Sequence, residues 1–326
     1  MKTKHFIGIG LVISLAFFSS ELMAQEEEES RTTSSQFTFA YPLGTNGYDA
    51  KYTSNKFSVN VLYGINGGLD GFEAGGLFNY NSGDVSGMQL AGIANINTEH
   101  TSGFMWAGCF NLALDHSRGV QFADINVATR DFTGLQAGVV NFAGGLRGVQ
   151  VGIVNIVGED NGAIPIGLFN VVRGGYYALE IVAGDAINTS LNYKMGVERF
   201  YTIYKLGSSW YKGNPVYSVG LGFGSMFTLA EKHRISLDLS ANHIVYNDEW
   251  NSDENCLAKL DLSYRFALGE HVSLIAGPSL NYYVSEVRVD DSFGTLRIPN
   301  RACTSPNENN QEWGWIGFNV GLAYRF

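Results

Sequence analysis

The stretch Ile316-Gly-Phe-Asn-Val-Gly-Leu-Ala-Tyr-Arg-Phe326 alternates strictly up to the last residue. Ile316, Phe318, Val320, Leu322, Tyr324 and Phe326 fall on one face of an extended chain. Gly317, Asn319, Gly321, Ala323 and Arg325 fall on the other. A period of two with one wholly apolar face and one small or polar face suits a strand that meets lipid on one side. The expectation is an all-β chain that ends in a membrane-type strand.

The preceding segments repeat the pattern. Tyr217, Val219, Leu221, Phe223 and Phe227 alternate with Ser218, Gly220, Gly222 and Gly224. Ile235, Leu237 and Leu239 alternate with Ser236, Asp238 and Ser240, and Leu260, Leu262 and Tyr264 with Lys259, Asp261, Ser263 and Arg265. Leu274, Ala276, Pro278, Leu280 and Tyr282 form the apolar face of another strand. A Lys or Arg on the lipid face near the bilayer midplane costs about 2–4 kcal/mol. Asp238, Lys259, Asp261 and Arg265 are therefore expected inside, as a lumen charge cluster that either pairs in a plugged barrel or lines a pore. Connections alternate in length, with short turns at Ala230–His233 and Gly269-Glu270 and longer loops at Gly207–Pro215, 247–255 and 288–312. Short turns on the periplasmic side and long loops outside are the expected asymmetry of outer-membrane barrels.

The amino terminus fits an exported protein. Lys2 and Lys4 precede the apolar run Phe6–Phe18, which is too short for a comfortable span, and small or polar residues follow to Ala24. This predicts a cleaved signal peptide over residues 1–24. The acidic run Glu26–Glu29 then reads as part of a disordered tail over 25–35, with the barrel over 36–326. The chain is 45% hydrophobic, yet its mean hydropathy is near zero, because apolar and polar residues alternate instead of clustering. Aromatics reach 13%, as interfacial girdles would require. A net charge of −10 argues against nucleic acid as a partner. The three cysteines are Cys109, Cys256 and Cys303. Cys256 and Cys303 fall at the same outer rim and are the candidate disulfide.

Between the tail and residue 172 the chain repeats itself. Asn recurs at Asn79, Asn95, Asn111, Asn126, Asn141, Asn155 and Asn170, at gaps of 14 to 16 residues. Gly71, Gly87, Gly103, Gly119, Gly134, Gly148 and Gly162 open the units over 71–172. Gln121, Gln136 and Gln150 stand five residues before their Asn, and Gln89 one position further back. A fixed period signals stacked structural units. Each unit has the length of one membrane strand plus a turn. Unequal gaps fit turns of varying length better than the coils of a solenoid. The expectation is an antiparallel transmembrane barrel of roughly sixteen strands. A smaller carboxy-terminal barrel with an amino-terminal β-solenoid carrying Asn and Gln ladders is the alternative. Both faces of the repeats are apolar, as in Val149, Val151 and Ile153 against Val154 and Ile156, which counts against the larger barrel.

The units Gly134-Leu-Gln-Ala-Gly-Val-Val-Asn141 and Gly148-Val-Gln-Val-Gly-Ile-Val-Asn155 resemble the G-x-Q-x-G-x-x-N repeats of bacterial surface-repeat outer-membrane proteins. Pro42-Leu-Gly-Thr-Asn-Gly47 and Gly175-Tyr-Tyr-Ala-Leu-Glu180 share in the resemblance, whereas Asp124 and Pro165 depart from it. It implies an outer-membrane location and supplies no functional residues. The ending at Tyr324 and Phe326 resembles the insertion signal read by the barrel-assembly machinery. The partners expected are that machinery and outer-membrane lipid.

Chemistry has little purchase here. The sequence has no Walker loop, nucleophile elbow, H-E-x-x-H or paired CxxC, and no cofactor is expected. A Ser240–His243–Asp238 triad is opposed by alternation, because His243 points to the other face. Glu286, Asp290, Asp291 and Glu308 match no EF-hand spacing. The expectation is a non-enzymatic surface protein, either a structural barrel or a passive pore. The alternative is a binding or adhesion protein acting through loops 247–255 and 288–312.

Overall fold

A computed structural model describes residues 31–247, 253–290, 292–300, 302–306 and 310–326. The signal-peptide region and the acidic run lie outside them. The described chain is all-β and has two parts.

The carboxy-terminal part is a closed antiparallel barrel of eight strands. They are Tyr176–Gly184, Thr189–Val197, Phe200–Tyr211, Asn214–Ala230, His233–Tyr246, Asn255–Ala267, Val272–Ser285 and Gln311–Arg325. Each pairs with its neighbour in sequence, and the last closes on the first from Ala178↔Arg325 to Gly184↔Asn319. The expected loop at Gly207–Pro215 is a two-residue turn, Lys212-Gly213, with Lys212 at φ 49° and Gly213 at φ 84°. The strands on either side run on through it as a regular ladder.

The repeats form a second part, and here the sixteen-strand expectation fails. They pair in parallel, not antiparallel: Gly71↔Gly87, Gly87↔Gly103, Gly103↔Gly119, Gly119↔Gly134 and Gly134↔Gly148. Each repeat is one coil of a flattened β-solenoid, a strand out and a strand back, and not one membrane span. The unequal gaps are absorbed at both turns: six residues lead from Gln89 to Asn95 and five from Gln121 to Asn126, and at the glycine edge Ala128 and Asp131 face Ala143 and Gly145, one residue fewer. Residues 31–35, expected in the tail, begin the strand Arg31–Ala40, which lies parallel to Thr53–Asn66 and covers the first coil.

The opening glycines are required by the stacking. Gly71 to Gly162 all have φ between 114° and 151°, a region that L side chains avoid. A Cβ on Gly103 would stand 1.9 Å from the carbonyl oxygen of Gly87 in the coil before it. The last coil, Asp160–Val172, packs on the barrel strands Thr189–Val197 and Phe200–Tyr211. Val197 joins Phe132, Leu146, Val157 and Val172 in one small apolar cluster.

Candidate functional site

Two buried polar systems dominate the molecule, and neither part has a large apolar core. In the solenoid the repeated asparagines are fully buried and form a continuous ladder. From Asn60 through Asn79, Asn95, Asn111, Asn126, Asn141 and Asn155 to Asn170, each Nδ2 donates to the next Oδ1 at 2.9–3.1 Å. The second Nδ2 hydrogen of each of Asn79, Asn95, Asn111, Asn126 and Asn141 reaches a backbone carbonyl of the following coil, as from Asn95 to Trp106 O at 2.8 Å and from Asn126 to Ala137 O at 2.9 Å. One side chain per coil thus satisfies a buried carbonyl and links two coils, which only a primary amide of this length can do. The ladder ends on the barrel, where Asn170 donates to Thr202 Oγ1 at 2.9 Å.

A second column runs with the opposite polarity. Gln150 donates to Gln136, and Gln136 to Gln121, each at 2.7 Å. Met105 interrupts the column. Beyond it Gln89 donates to Glu73 at 2.9 Å. At the other end Pro165 offers no donor, and Gln150 Oε1 has no partner. Glu73 is fully buried and accepts from Asn60, Asn66, Asn81 and Gln89. Burial pushes its carboxyl above the usual range, and the four amide donors pull against that shift.

In the barrel, Asp238, Lys259, Asp261 and Arg265 all lie in the lumen and are buried. They divide into two groups. Arg265 pairs with Glu180 at 2.6 Å and with Asp238 at 3.8 Å, and Lys194 bridges the same two carboxylates. Toward the mouth opposite the carboxy terminus Asp261 meets Lys205 at 3.3 Å and Lys259 at 3.5 Å, and Asn319 donates to it at 2.8 Å. Sequence reasoning missed Glu180, Lys194 and Lys205. The signal was present, since each sits at an inward position of its strand. A cavity of about 20 Å³ lies among these side chains, room for about one water.

The mouth opposite the carboxy terminus is covered. Residues 287–290 and 292–296 fold over it, with Val287, Val289 and Thr295 buried and Leu296 packed in one cluster with Tyr283, Trp313 and Trp315. The Tyr283 hydroxyl donates to Asn255 Oδ1 at 2.6 Å and accepts from the Thr295 amide at 2.9 Å. The other expected surface loop, 247–255, falls partly outside the described residues.

The candidate disulfide is absent: Cys256 and Cys303 are both free. Cys256 stands opposite Val284, Val284 opposite Glu312, and Glu312 opposite Ser305, on three successive neighbouring strands. Three strand spacings are about 14 Å, against a limit of about 7 Å between bridged Cα atoms. Asp238 and Ser240 face the lumen while His243 faces outward, so no triad assembles. Asp291 and Glu308 lie outside the described residues, and no acidic or His/Cys metal cluster occurs among the described ones. Tyr324 is stacked on His271 and meets Phe326 edge-on on the outer wall.

The whole apolar face of the last strand is exposed, from Ile316 at 65% to Phe326 at 65%. Leu237, Leu239, Leu260, Leu262, Leu274 and Leu280 continue it around the wall. No protein-family model matches this chain, and no curated protein matches it in sequence.

Proposed function

We propose that this chain is a non-enzymatic outer-membrane protein whose eight-strand barrel is a plugged anchor for the solenoid. One observation carries the reading: the barrel has an exposed apolar wall around a lumen closed by paired charges. Water rejects that wall and lipid accepts it. Eight strands leave an interior that side chains just fill, and here Lys194, Lys205, Lys259 and Arg265 meet Glu180, Asp238 and Asp261 across it. Of the two barrel roles considered, this supports the structural one over the passive pore. The signal-peptide pattern, the Tyr324 and Phe326 ending and the resemblance of the repeats support the outer membrane, with the barrel-assembly machinery and lipid as partners.

The test is a pair of measurements on purified, refolded protein. Heat-modifiable gel mobility should report a folded barrel that co-floats with lipid vesicles, and the same sample should give no conductance steps in planar bilayers. Steady conductance would overturn the plugged lumen. A folded protein that stays out of vesicles would overturn the membrane reading.

A binding role for the mouth opposite the carboxy terminus is a second reading. It is favoured by the fixing of residues 287–290 and 292–296, since a preformed surface loses little entropy on binding. Replacing 288–312 with a short turn should then remove binding to cells or matrix while leaving heat-modifiable folding intact.

A further inference from the structure

The solenoid is built inside-out, and we infer that it lies in one leaflet of the bilayer, as a wedge of acyl-chain-facing β-structure beside the barrel. The inference rests on the membrane reading of the barrel and adds a second lipid-embedded element to it.

Its interior holds the Asn and Gln columns, while its outward positions are apolar on both faces. The residues after the Gln column are Leu90, Trp106, Phe122, Ala137, Val151 and Ile166, and those after the Asn column include Ile96, Leu112, Phe142 and Ile156. Charge is sorted to one edge. Between Leu69 and Val172 every Asp, Glu, Lys and Arg lies at the turns beside the opening glycines, except Glu73 in the interior and Asp124. An ion pair links neighbouring coils along that edge, Arg130 to Asp115 at 3.3 Å, and the His116 ring meets Asp131 at 3.3 Å. The opposite edge is a line of Leu62, Leu77, Ile93, Cys109, Asp124, Val139 and Ile153, joined coil to coil by backbone hydrogen bonds of 2.8–3.0 Å from Leu77 N→Leu62 O to Ile153 N→Val139 O, with Ile125 N in place of Asp124 N as the donor to Cys109 O. Asp124 is its one charged residue.

A protein surface in lipid must leave no backbone group unpaired. Stacking meets this demand along both faces between coils, and at the turns the Asn side chains add a donor to a carbonyl of the following coil. From Met88 to Ala91 the apolar strand rises about 10 Å, and with the turn at Gly92 and Ile93 it fits within the roughly 15 Å hydrocarbon half of a bilayer. The docking to the barrel sets the same depth independently. The charged edge meets the barrel at its rim, through Arg199 to Asp160 at 3.5 Å and beside the Arg325–Glu198 pair. The apolar edge reaches only Thr202, which donates to Gly167 O at 2.6 Å, and Tyr204, which donates to Leu168 O. On a strand that runs from Phe200 to Tyr211, that is less than half of the barrel height. Charges lie level with the rim that carries the carboxy terminus, and the apolar edge points toward the midplane.

Native Cys109, exposed at the apolar edge, is a ready probe position. The full chain with Cys256→Ser and Cys303→Ser is labelled there with bimane and reconstituted in phosphatidylcholine vesicles containing a lipid brominated on its acyl chain. Two further proteins carry the label elsewhere in a Cys109→Ser background, one by Leu239→Cys on the barrel wall and one by Glu99→Cys at the charged edge. Heat-modifiable mobility confirms that each is folded. The expected result is loss of most bimane fluorescence at positions 109 and 239 and little loss at 99. Quenching at 239 without quenching at 109 overturns this inference and leaves the barrel reading standing. No quenching at either overturns both. Equal quenching at 99 and 109 overturns the one-leaflet placement, because the charged edge would then be buried as well.

Discussion

Asn126→Leu is the sharpest test of what holds the solenoid together. Asn126 is fully buried. Its Nδ2 donates to Asn141 Oδ1 at 3.0 Å and to Ala137 O at 2.9 Å, and its Oδ1 accepts from Asn111 at 3.0 Å. Leucine has nearly the same shape and no polar atom. The substitution leaves Asn141 Oδ1 without its donor in the interior and removes a 3.3 Å contact to Ala123 O, while Ala137 O keeps the Ala123 amide at 3.3 Å. Asn111 keeps Phe122 O at 3.1 Å and Met105 O at 3.2 Å, so that donor is not orphaned. One stranded side-chain acceptor gives a loss of about 1–3 kcal/mol. In a stack whose coils contact only their neighbours, the loss stays local. Amide hydrogen exchange read by mass spectrometry should show protection falling by about 5-fold to about 150-fold in peptides covering residues 101–156. Barrel peptides over 214–285 should be unchanged. Protection in 101–156 within threefold of the wild type would refute the claim that the ladder carries the stack. An equal loss in both regions would refute the claim that the coils fail locally.

Other consequences follow from the same geometry. Gly103→Ala places a Cβ 1.9 Å from Gly87 O at φ 134°, and should lower the solenoid's urea stability by at least about 2 kcal/mol, followed through the fluorescence of the nearby Trp106. Arg265→Met leaves Lys194 alone with Glu180 and Asp238, and should cost the barrel about 3–5 kcal/mol as an uncompensated buried charge, read as a lower temperature for the shift in gel mobility.

The barrel was legible because alternation is a direct record of its two environments. Leu260, Leu262 and Tyr264 face out while Lys259, Asp261 and Arg265 face in, and the same rule read the last strand correctly to Phe326. The repeats were misread for a physical reason. A period of 14 to 16 residues suits a span with a turn as well as it suits a coil of two short strands, and the position of Gln89 looked like a slip in register. It is not one: Gln89 stands over Glu73 and under Met105 in the same column, and the extra residue is taken up at the turn. The distinguishing signal was the Asn itself. In an antiparallel meander successive Asn residues would fall at alternating heights and have no reason to match. Identity at every coil has a purpose only where each residue lies on the last one, as Asn79, Asn95 and Asn111 do. The Cys256–Cys303 pairing failed differently. Sharing a rim does not bring two residues together when two strands lie between them.

The two parts obey one solvent rule by different means. Each puts polar groups inside and apolar groups outside, the reverse of a protein built for water. The barrel balances its interior with ion pairs, which need strong mutual geometry to offset desolvation. The solenoid uses neutral amides, each making two or three hydrogen bonds and incurring no charge burial except at Glu73. In water such a stack would rely on net gains of only about 0.5–1.5 kcal/mol per hydrogen bond, with the small cluster around Phe132 and Leu146 as its main apolar interior. It would also leave Trp106, Phe122 and Ile153 exposed. In hydrocarbon the balance changes. Exposed apolar residues cost nothing there, and unravelling a coil would strand backbone amides and carbonyls with no water to receive them. The repeat is therefore better suited to lipid than to water, and the barrel against which its last coil docks is the element that would hold it there.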